Sequence, residues 1–482
     1  MMLRASATEL ARGIREGRWS STELVEGHIA QIRRINPTLN ALVADRFALA
    51  RREAAEADAH DPVGPLHGVP CSIKECFAVE GMPNCSGLYR RRDHVATQDA
   101  TAVARYRAAG AIVMGVTNTS ELCMWMESDN RVYGRTNNPY DPTRIVGGSS
   151  GGEGALIGGG AAPFGLGSDI GGSIRMPAFF NGVFGHKPSG GLVPGTGQFP
   201  MAEGSARMML ATGPLCRRAE DLYPLLQLLA GPDGQDGQEL PLLDPASVDV
   251  AGLRVFDLAD NGVTRPSSEM RAAQERAVEA LSARGARVEA LRLPRLKKSF
   301  EIWSAALAEA EGTRFATLMG GGVRVPPGRE LLKRLTVGSE HTLMASLLGL
   351  AEELTQPLTG LQASLLLERD ALRAELDERL DGRSVVLFPP FPRTAPPHRW
   401  PLMRQLMLRF DYSYTAIINA LHLPATAVPM GLDRGGLPLG VQVIAGHGQD
   451  HLCLAVAQAL EDACGGWVPP SRWLSPPSGP AA

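Results

Sequence analysis

GGSSGGEGALIGGGAAPFGLGSDIGGSIRMPAFFNGVFGHKP, residues Gly147 to Pro188, carries twelve glycines and four serines between positions 147 and 173. Glycine costs about 0.5–1 kcal/mol relative to alanine inside a helix or strand, so this stretch is expected to be backbone lining a site. Two serine motifs stand out within it, Gly148-Ser149-Ser150-Gly151 and Ile170-Gly171-Gly172-Ser173. Upstream, Val69-Pro70-Cys71-Ser72-Ile73 reads as a short buried strand that ends on Lys74.

These residue types carry a recognisable chemistry. A serine hydroxyl is a poor nucleophile near neutrality and must lose its proton to a neighbouring base as it attacks a carbonyl. Histidine is the usual base, yet neither serine motif contains one. A lysine serves only when neutral, and its ordinary pKa leaves about one molecule in 2,500 unprotonated at pH 7. Desolvation lowers a lysine pKa by up to roughly 3–5 units, and the apolar strand before Lys74 offers a dry setting. The turn Ile170-Gly171-Gly172-Ser173 exposes successive backbone N–H groups suited to a developing oxyanion, where losing one donor typically costs about 100- to 1,000-fold in rate.

The stretch resembles the amidase signature family. Ser149 and Ser173 stand at the family's spacing, and Gly68-Val69-Pro70-Cys71-Ser72-Ile73-Lys74-Glu75 matches its strand-borne lysine. The resemblance implies a Ser-Ser-Lys triad: Ser173 is acylated, Ser149 passes the proton between Ser173 and Lys74, and a cis peptide joins Gly148 to Ser149. It implies an oxyanion hole at Ile170, Gly171, Gly172 and Ser173, and a supporting role for Ser150. Asp169 and Arg175 flank the loop and are expected to clamp it by charge-assisted hydrogen bonds. The likeness is to the type-2 fatty-acid amide hydrolases, carried by Gly81-Met82-Pro83-Asn84, Ser120-Glu121-Leu122-Cys123-Met124-Trp125 and Asn137-Asn138-Pro139-Tyr140-Asp141, and again by Gly440 to Gly446 and Gly465-Gly466-Trp467. It implies an α/β fold, the amidase-signature fold: a large mixed central β-sheet covered on both faces by helices. One domain is expected over 1–482, with a catalytic core at 65–215 and a variable helical cap at about 265–385.

The implied activity is hydrolysis of a carboxamide through an acyl-enzyme, with no cofactor and no metal, since no His, Cys and acid cluster has ligand spacing. Met124, Trp125, Met176, Phe179 and Phe180 suit an apolar acyl or aryl group, and Met124 is singled out with Ser149 as substrate-binding. One rival is the amidase subunit of a tRNA-dependent amidotransferase. That subgroup carries Gln after Ser-Ile-Arg, where this chain has Met176. Another rival is an α/β-hydrolase esterase, because Gly147-Gly148-Ser149-Ser150-Gly151 fits the nucleophile-elbow pattern with histidines at 341, 398, 422, 447 and 451 downstream. That reading leaves Lys74 and the Ser173 motif unexplained. His186 is expected to be a hydrogen-bonded core residue, and the glycines lack the GxGxxG spacing of a dinucleotide loop.

Composition narrows the classes further. A formal net charge of −3 over 482 residues supplies no basic field for nucleic acid. No secretory h-region and no 18-residue apolar run appears, so no transmembrane segment is expected. Seven cysteines without a CxxC pair point to reduced thiols in a cytoplasm. A small-molecule amide is the expected partner, with homodimerisation left open. Ser6-x-x-Glu9 and Ser20-x-x-Glu23 are capping-box patterns opening two helices, the second ending at Asn36-Pro37. A further helix is expected around 46–58, a helix–strand unit over 100–117, helices at Glu269–Ala283 and Leu361–Leu380, strands at Ser384–Phe388, 423–429 and 439–444, and a last helix at 450–463.

Overall fold

The apolar run before Lys74 forms a strand in which every residue is buried. It lies in parallel between two other fully buried strands, Ile112–Thr117 and Phe164–Asp169. Such continuous burial is what a strand covered on both faces requires. The computed structural model that reveals this describes residues 2–474, apart from 310, 311, 337, 356–358 and 399–401.

In chain order the strands are β1 (Leu42–Asp45), β2 (Pro70–Lys74), β3 (Ile112–Thr117), β4 (Asp129–Asn130), β5 (Gly134–Arg135), β6 (Phe164–Asp169) and β7 (Phe184–Lys187). They continue as β8 (Ala211–Cys216), β9 (Arg254–Leu258), β10 (Arg287–Leu291), β11 (Ser384–Phe388), β12 (Ala425–Leu432) and β13 (Pro438–Ile444). The short β4 and β5 pair with each other, and the other eleven form one mixed sheet in the order β1-β3-β2-β6-β8-β7-β12-β13-β11-β9-β10. Alternate residues of β3 feed opposite faces, as a period of two demands. Ile112 and Met114 join Ile35, Leu39 and Leu156 on one side, while Val113 joins Phe164, Leu222 and Leu225 on the other. The α/β fold with helices on both faces is therefore the architecture observed.

Both expected N-terminal caps form. The Glu9 N–H donates to Ser6 Oγ at 2.9 Å, and Ser20 and Glu23 exchange bonds of 3.0 and 2.8 Å as a complete capping box. The second helix runs past the expected stop, continuing through Pro37 to Leu39. Its end is closed by Asn40 in the left-handed region and by Asn36 Oδ1, which accepts the N–H groups of Ala41 and Leu42. The helices Phe47–Ala59, Thr101–Ala108, Ser268–Ala283, Thr359–Asp377 and Asp450–Cys464 fall where periodicity placed them.

Two expectations give way. The glycine-rich stretch is not irregular throughout, for Gly151–Gly158 is an α-helix and Phe164–Asp169 a strand. Glycine is used here for close approach: a Cβ at Gly152 would run into the backbone of Asn118, and one at Gly154 into the carbonyl of Pro177. The segment 265–385 is also not purely helical. Its residues 287–291 add the edge strand β10, parallel to β9, before the helices Ser299–Glu309, Phe315–Met319, Pro327–Thr336, Leu343–Thr355 and Thr359–Asp377.

Glu153 ties the glycine helix to the sheet. Its buried carboxylate accepts Ser72 Oγ from β2 at 2.6 Å and Thr117 Oγ1 from β3 at 2.8 Å. Burial outweighs these bonds and pushes its pKa from 4.5 up to about 8. Between those values the folded chain keeps a proton that the unfolded chain has released. Glu153-linked stability is thus complete below pH 4.5 and lost as pH climbs to about 8, by roughly 3–5 kcal/mol. Glu153→Gln should flatten the fall of the urea midpoint across that window, with a residual slope of the same sign from Glu75, whose pKa burial raises to about 7.

Candidate active site

Lys74 is the last residue of β2 and has no exposed surface. Its Nζ lies 2.6 Å from Ser149 Oγ and 3.0 Å from Ser168 Oγ. Among the described residues no carboxylate comes within ion-pair distance of Nζ, so both its partners are hydroxyls. An amine in that setting donates when protonated and accepts from Ser149 when neutral, which is the geometry a proton transfer needs.

Ser149 enters through a cis peptide from Gly148. Its carbonyl accepts Ser128 Oγ at 3.2 Å, and that hydroxyl also accepts the N–H of Gly151 at 3.0 Å, so one side chain holds both sides of the turn into the glycine helix. Ser150 braces the same turn against β6. Its Oγ donates to the Ser168 carbonyl at 3.3 Å and accepts the Ser168 N–H at 3.4 Å, while its own N–H donates to the Ser173 carbonyl at 3.2 Å. That last bond brings the two serine motifs together. The Ser173 hydroxyl itself makes no hydrogen bond among the described residues, and the residue keeps 4% of its surface exposed, which leaves the oxygen open to approach.

The loop from Asp169 to Ser173 is held from all sides. Asp169 Oδ1 accepts the Gly172 N–H at 2.6 Å, and Oδ2 accepts the Ile174 N–H at 3.1 Å. Arg175 meets both carboxylate oxygens at 3.1 Å through Nε and one terminal nitrogen. The same terminal nitrogen also faces the Thr415 carbonyl and Asn419 Oδ1 at 3.0 and 2.6 Å, and the other donates to Gln442 Oε1 at 2.9 Å. Burial alone would raise the Asp169 pKa, but the Arg175 guanidinium overrides it and holds the carboxyl well below its usual range. With the Gly172 N–H committed to Asp169, the N–H groups of Ile170, Gly171 and Ser173 are the ones in this turn left without an acceptor among the described residues.

Other expectations sort cleanly. Met124 is half-buried and packs, like Ile170 and Tyr412, against the apolar cluster that contains Trp303. Met176, Phe179 and Phe180 are instead core, the last edge-on to Phe391 with ring centroids 5.2 Å apart. His186 is fully buried between Thr426 Oγ1 at 2.8 Å and Asp450 at 3.1 Å. None of the five downstream histidines hydrogen-bonds Ser149; His341 pairs with Glu121 and His398 with Glu127, each at 2.6 Å. The nucleophile-elbow arrangement is absent among the described residues.

Sequence reasoning overlooked several groups at this site. Ser168, one residue before Asp169, reaches Lys74 only because β6 lies beside β2. Trp303, Thr415 and Asn419 reach the Asp169–Ser173 loop from helices far away in the chain. No local pattern marks them.

A family profile described as Amidase matches residues 23–454 of this chain. The chain is 46% identical to fatty-acid amide hydrolase 2-B of Danio rerio over 97% of its own length and 91% of that protein. It is 42% identical to fatty-acid amide hydrolase 2 of Homo sapiens, over 98% and 91%. Among solved structures, that of a bacterial aryl acylamidase of the amidase signature family is similar with a TM-score of 0.80 at 25% identity, covering 98% of this chain and 97% of that one.

Removing one partner of a fully buried ion pair typically costs about 3–5 kcal/mol, because the other charge is left uncompensated. Asp169→Asn should therefore lower the stability of the folded chain by that order, read as a fall in the denaturant midpoint at constant slope.

Proposed function

The chain belongs to the amidase family and is a hydrolase of carbon–nitrogen amide bonds, and from that premise we propose that Ser173 is its nucleophile, Ser149 its proton shuttle and Lys74 its base. The observation that carries the reading is the 2.6 Å contact between Lys74 Nζ and Ser149 Oγ, made between two buried side chains. Ser173 Oγ attacks the substrate carbonyl while its proton moves to Ser149 Oγ and the proton of Ser149 moves to Lys74 Nζ. The carbonyl oxygen, now negative, is met by the free N–H groups of Ile170, Gly171 and Ser173. Gly172 supports them through its bond to Asp169. As the tetrahedral species collapses, the proton returns from Lys74 through Ser149 to the departing amine, and an acyl-Ser173 ester remains. Water then repeats the sequence and releases the acid. Ser150, Asp169 and Arg175 hold the shape of the loop.

For substrate we favour a carboxamide with an apolar acyl or aryl group. Support comes from half-buried Met124 beside Ile170 and Trp303, and from relatives whose names speak of fatty-acid amides. Among the described residues no helix is long and apolar enough to cross a membrane.

Ser173→Ala should abolish amide turnover, by roughly 10,000-fold or more as for other nucleophile deletions, and peptide mapping of a fluorophosphonate adduct should find the label on Ser173. A label on Ser149, or turnover surviving the substitution, would overturn the assignment. In a panel of amides differing only in the acyl group, kcat/KM should rise with apolar surface, by up to about tenfold per 1.4 kcal/mol of added burial. A preference for glutamine over aryl and long-chain amides would defeat the substrate class.

A further inference from the structure

Three of the four peptide planes between Asp169 and Ser173 have their carbonyl end held by a side chain, while the Gly172 carbonyl accepts the backbone N–H of Met176 at 2.8 Å. Asn419 Nδ2 donates to the Asp169 carbonyl at 2.8 Å, Trp303 Nε1 to the Ile170 carbonyl at 2.9 Å, and the Thr415 hydroxyl, shared with the Tyr412 carbonyl, to that of Gly171 at 2.9 Å. These peptides are trans, since the cis bonds lie at Gly148–Ser149 and Phe199–Pro200. In a trans peptide the C=O and the following N–H point in opposite directions. Whatever grips the carbonyl therefore aims the N–H.

For two of the three planes the aiming group is built into the core. Thr415 and Asn419 sit one turn apart on the helix Leu402–Ala420, the same helix that receives Arg175. The third is different. Trp303 belongs to Ser299–Glu309, a helix within the region expected as a variable cap, which packs against Leu402–Ala420. The residue is 7% exposed, and its indole stands edge-on to Tyr412, with centroids 5.4 Å apart and planes at 78°. Trp303 and Tyr412 close over Gly171 so tightly that a Cβ there would collide with the Tyr412 hydroxyl and touch the Trp303 ring. The Gly171 N–H, one of those with no acceptor of its own, is consequently directed away from the cap, on the face opposite the indole.

We infer that Trp303 is a positioning residue for the oxyanion hole: its Nε1–H fixes the Ile170 carbonyl and so orients the Gly171 N–H toward the developing negative charge. The helix that carries Trp303 then contributes to the chemical step. The inference rests on the proposed role of Ser173, and its test is separable from the test of that role. Ser173→Ala and adduct mapping decide the nucleophile. In a protein whose Ser173 acylates, Trp303→Phe decides the positioning.

Trp303→Phe keeps an aromatic ring against Tyr412 and deletes the donor. The expected result is a kcat lowered by roughly 10- to 100-fold, less than direct loss of an oxyanion donor, with KM within about twofold. Affinity for a trifluoromethyl ketone, which captures the serine as a tetrahedral oxyanion, should fall by the same factor, while that for the corresponding uncleaved ground-state ether analogue stays unchanged. Should the variant melt early, benzothiophene can replace the indole at position 303 by unnatural amino-acid incorporation, keeping the shape and removing only the N–H. A folded donor-less protein with kcat within twofold of the parent overturns the inference. So does a fall in kcat with undiminished ketone affinity, which would mean that Trp303 serves packing alone.

Discussion

Asp169 and Arg175 form an ion pair with no exposed surface on either side chain. Taking two charges out of water costs several kcal/mol per ion, and their mutual attraction offsets this only when hydrogen bonds satisfy the remaining atoms. Here they do. The carboxylate gathers N–H groups from Gly172 and Ile174, and the guanidinium spreads over Gln442, Thr415 and Asn419. Through those bonds a short loop at the end of β6 is joined to β13 and to the helix Leu402–Ala420, which are more than 200 residues away in the chain. The loop therefore moves only if the pair is broken, and the position of Ser173 inherits the rigidity of the core.

Lys74 follows a different electrostatic logic. A carboxylate at its side would hold it protonated, and the structure keeps carboxylates out of ion-pair range among the described residues while still satisfying Nζ with the hydroxyls of Ser149 and Ser168. Glu153 lies under the same strands, but its oxygens are spent on Ser72 and Thr117, and burial holds its pKa near 8, so over much of the neutral range it carries little charge. One lysine is thus placed among neutral partners while one arginine, a short distance on, is locked to its acid. The two cations differ in surroundings: Lys74 meets hydroxyls and Arg175 an acid.

Much of this was legible in the chain because the relevant signals are local. Lys74 was found from an apolar run that ends in a cation, and the serine turns from glycines whose spacing matches a known family. The caps at Ser6 and Ser20 followed from side chains that reach three residues along. What escaped reading depends on strand order and helix packing. Ser168 is a small residue in a small-residue strand until β6 is known to lie beside β2, and Trp303, Thr415 and Asn419 look like ordinary helix residues. The glycine helix Gly151–Gly158 was missed for a related reason. Propensity argues against helix there, but the approach of Asn118 and Pro177 demands residues without a Cβ, and tertiary packing overrides propensity.

The same comparison explains why the cap region is hard to interpret from sequence yet matters to the site. Its helices contribute exposed apolar residues such as Leu332 and Leu367 as well as buried ones such as Ile302 and Trp303, so hydrophobic periodicity alone does not say which face meets the core. The hydrogen bond to the Asp169–Ser173 loop is made by a polar atom, the indole Nε1, of a side chain whose bulk is otherwise apolar. Tryptophan is suited to this because it fills a core position and still offers one directed donor. At Trp303 the choice of side chain is tied to the direction of a backbone carbonyl, that of Ile170.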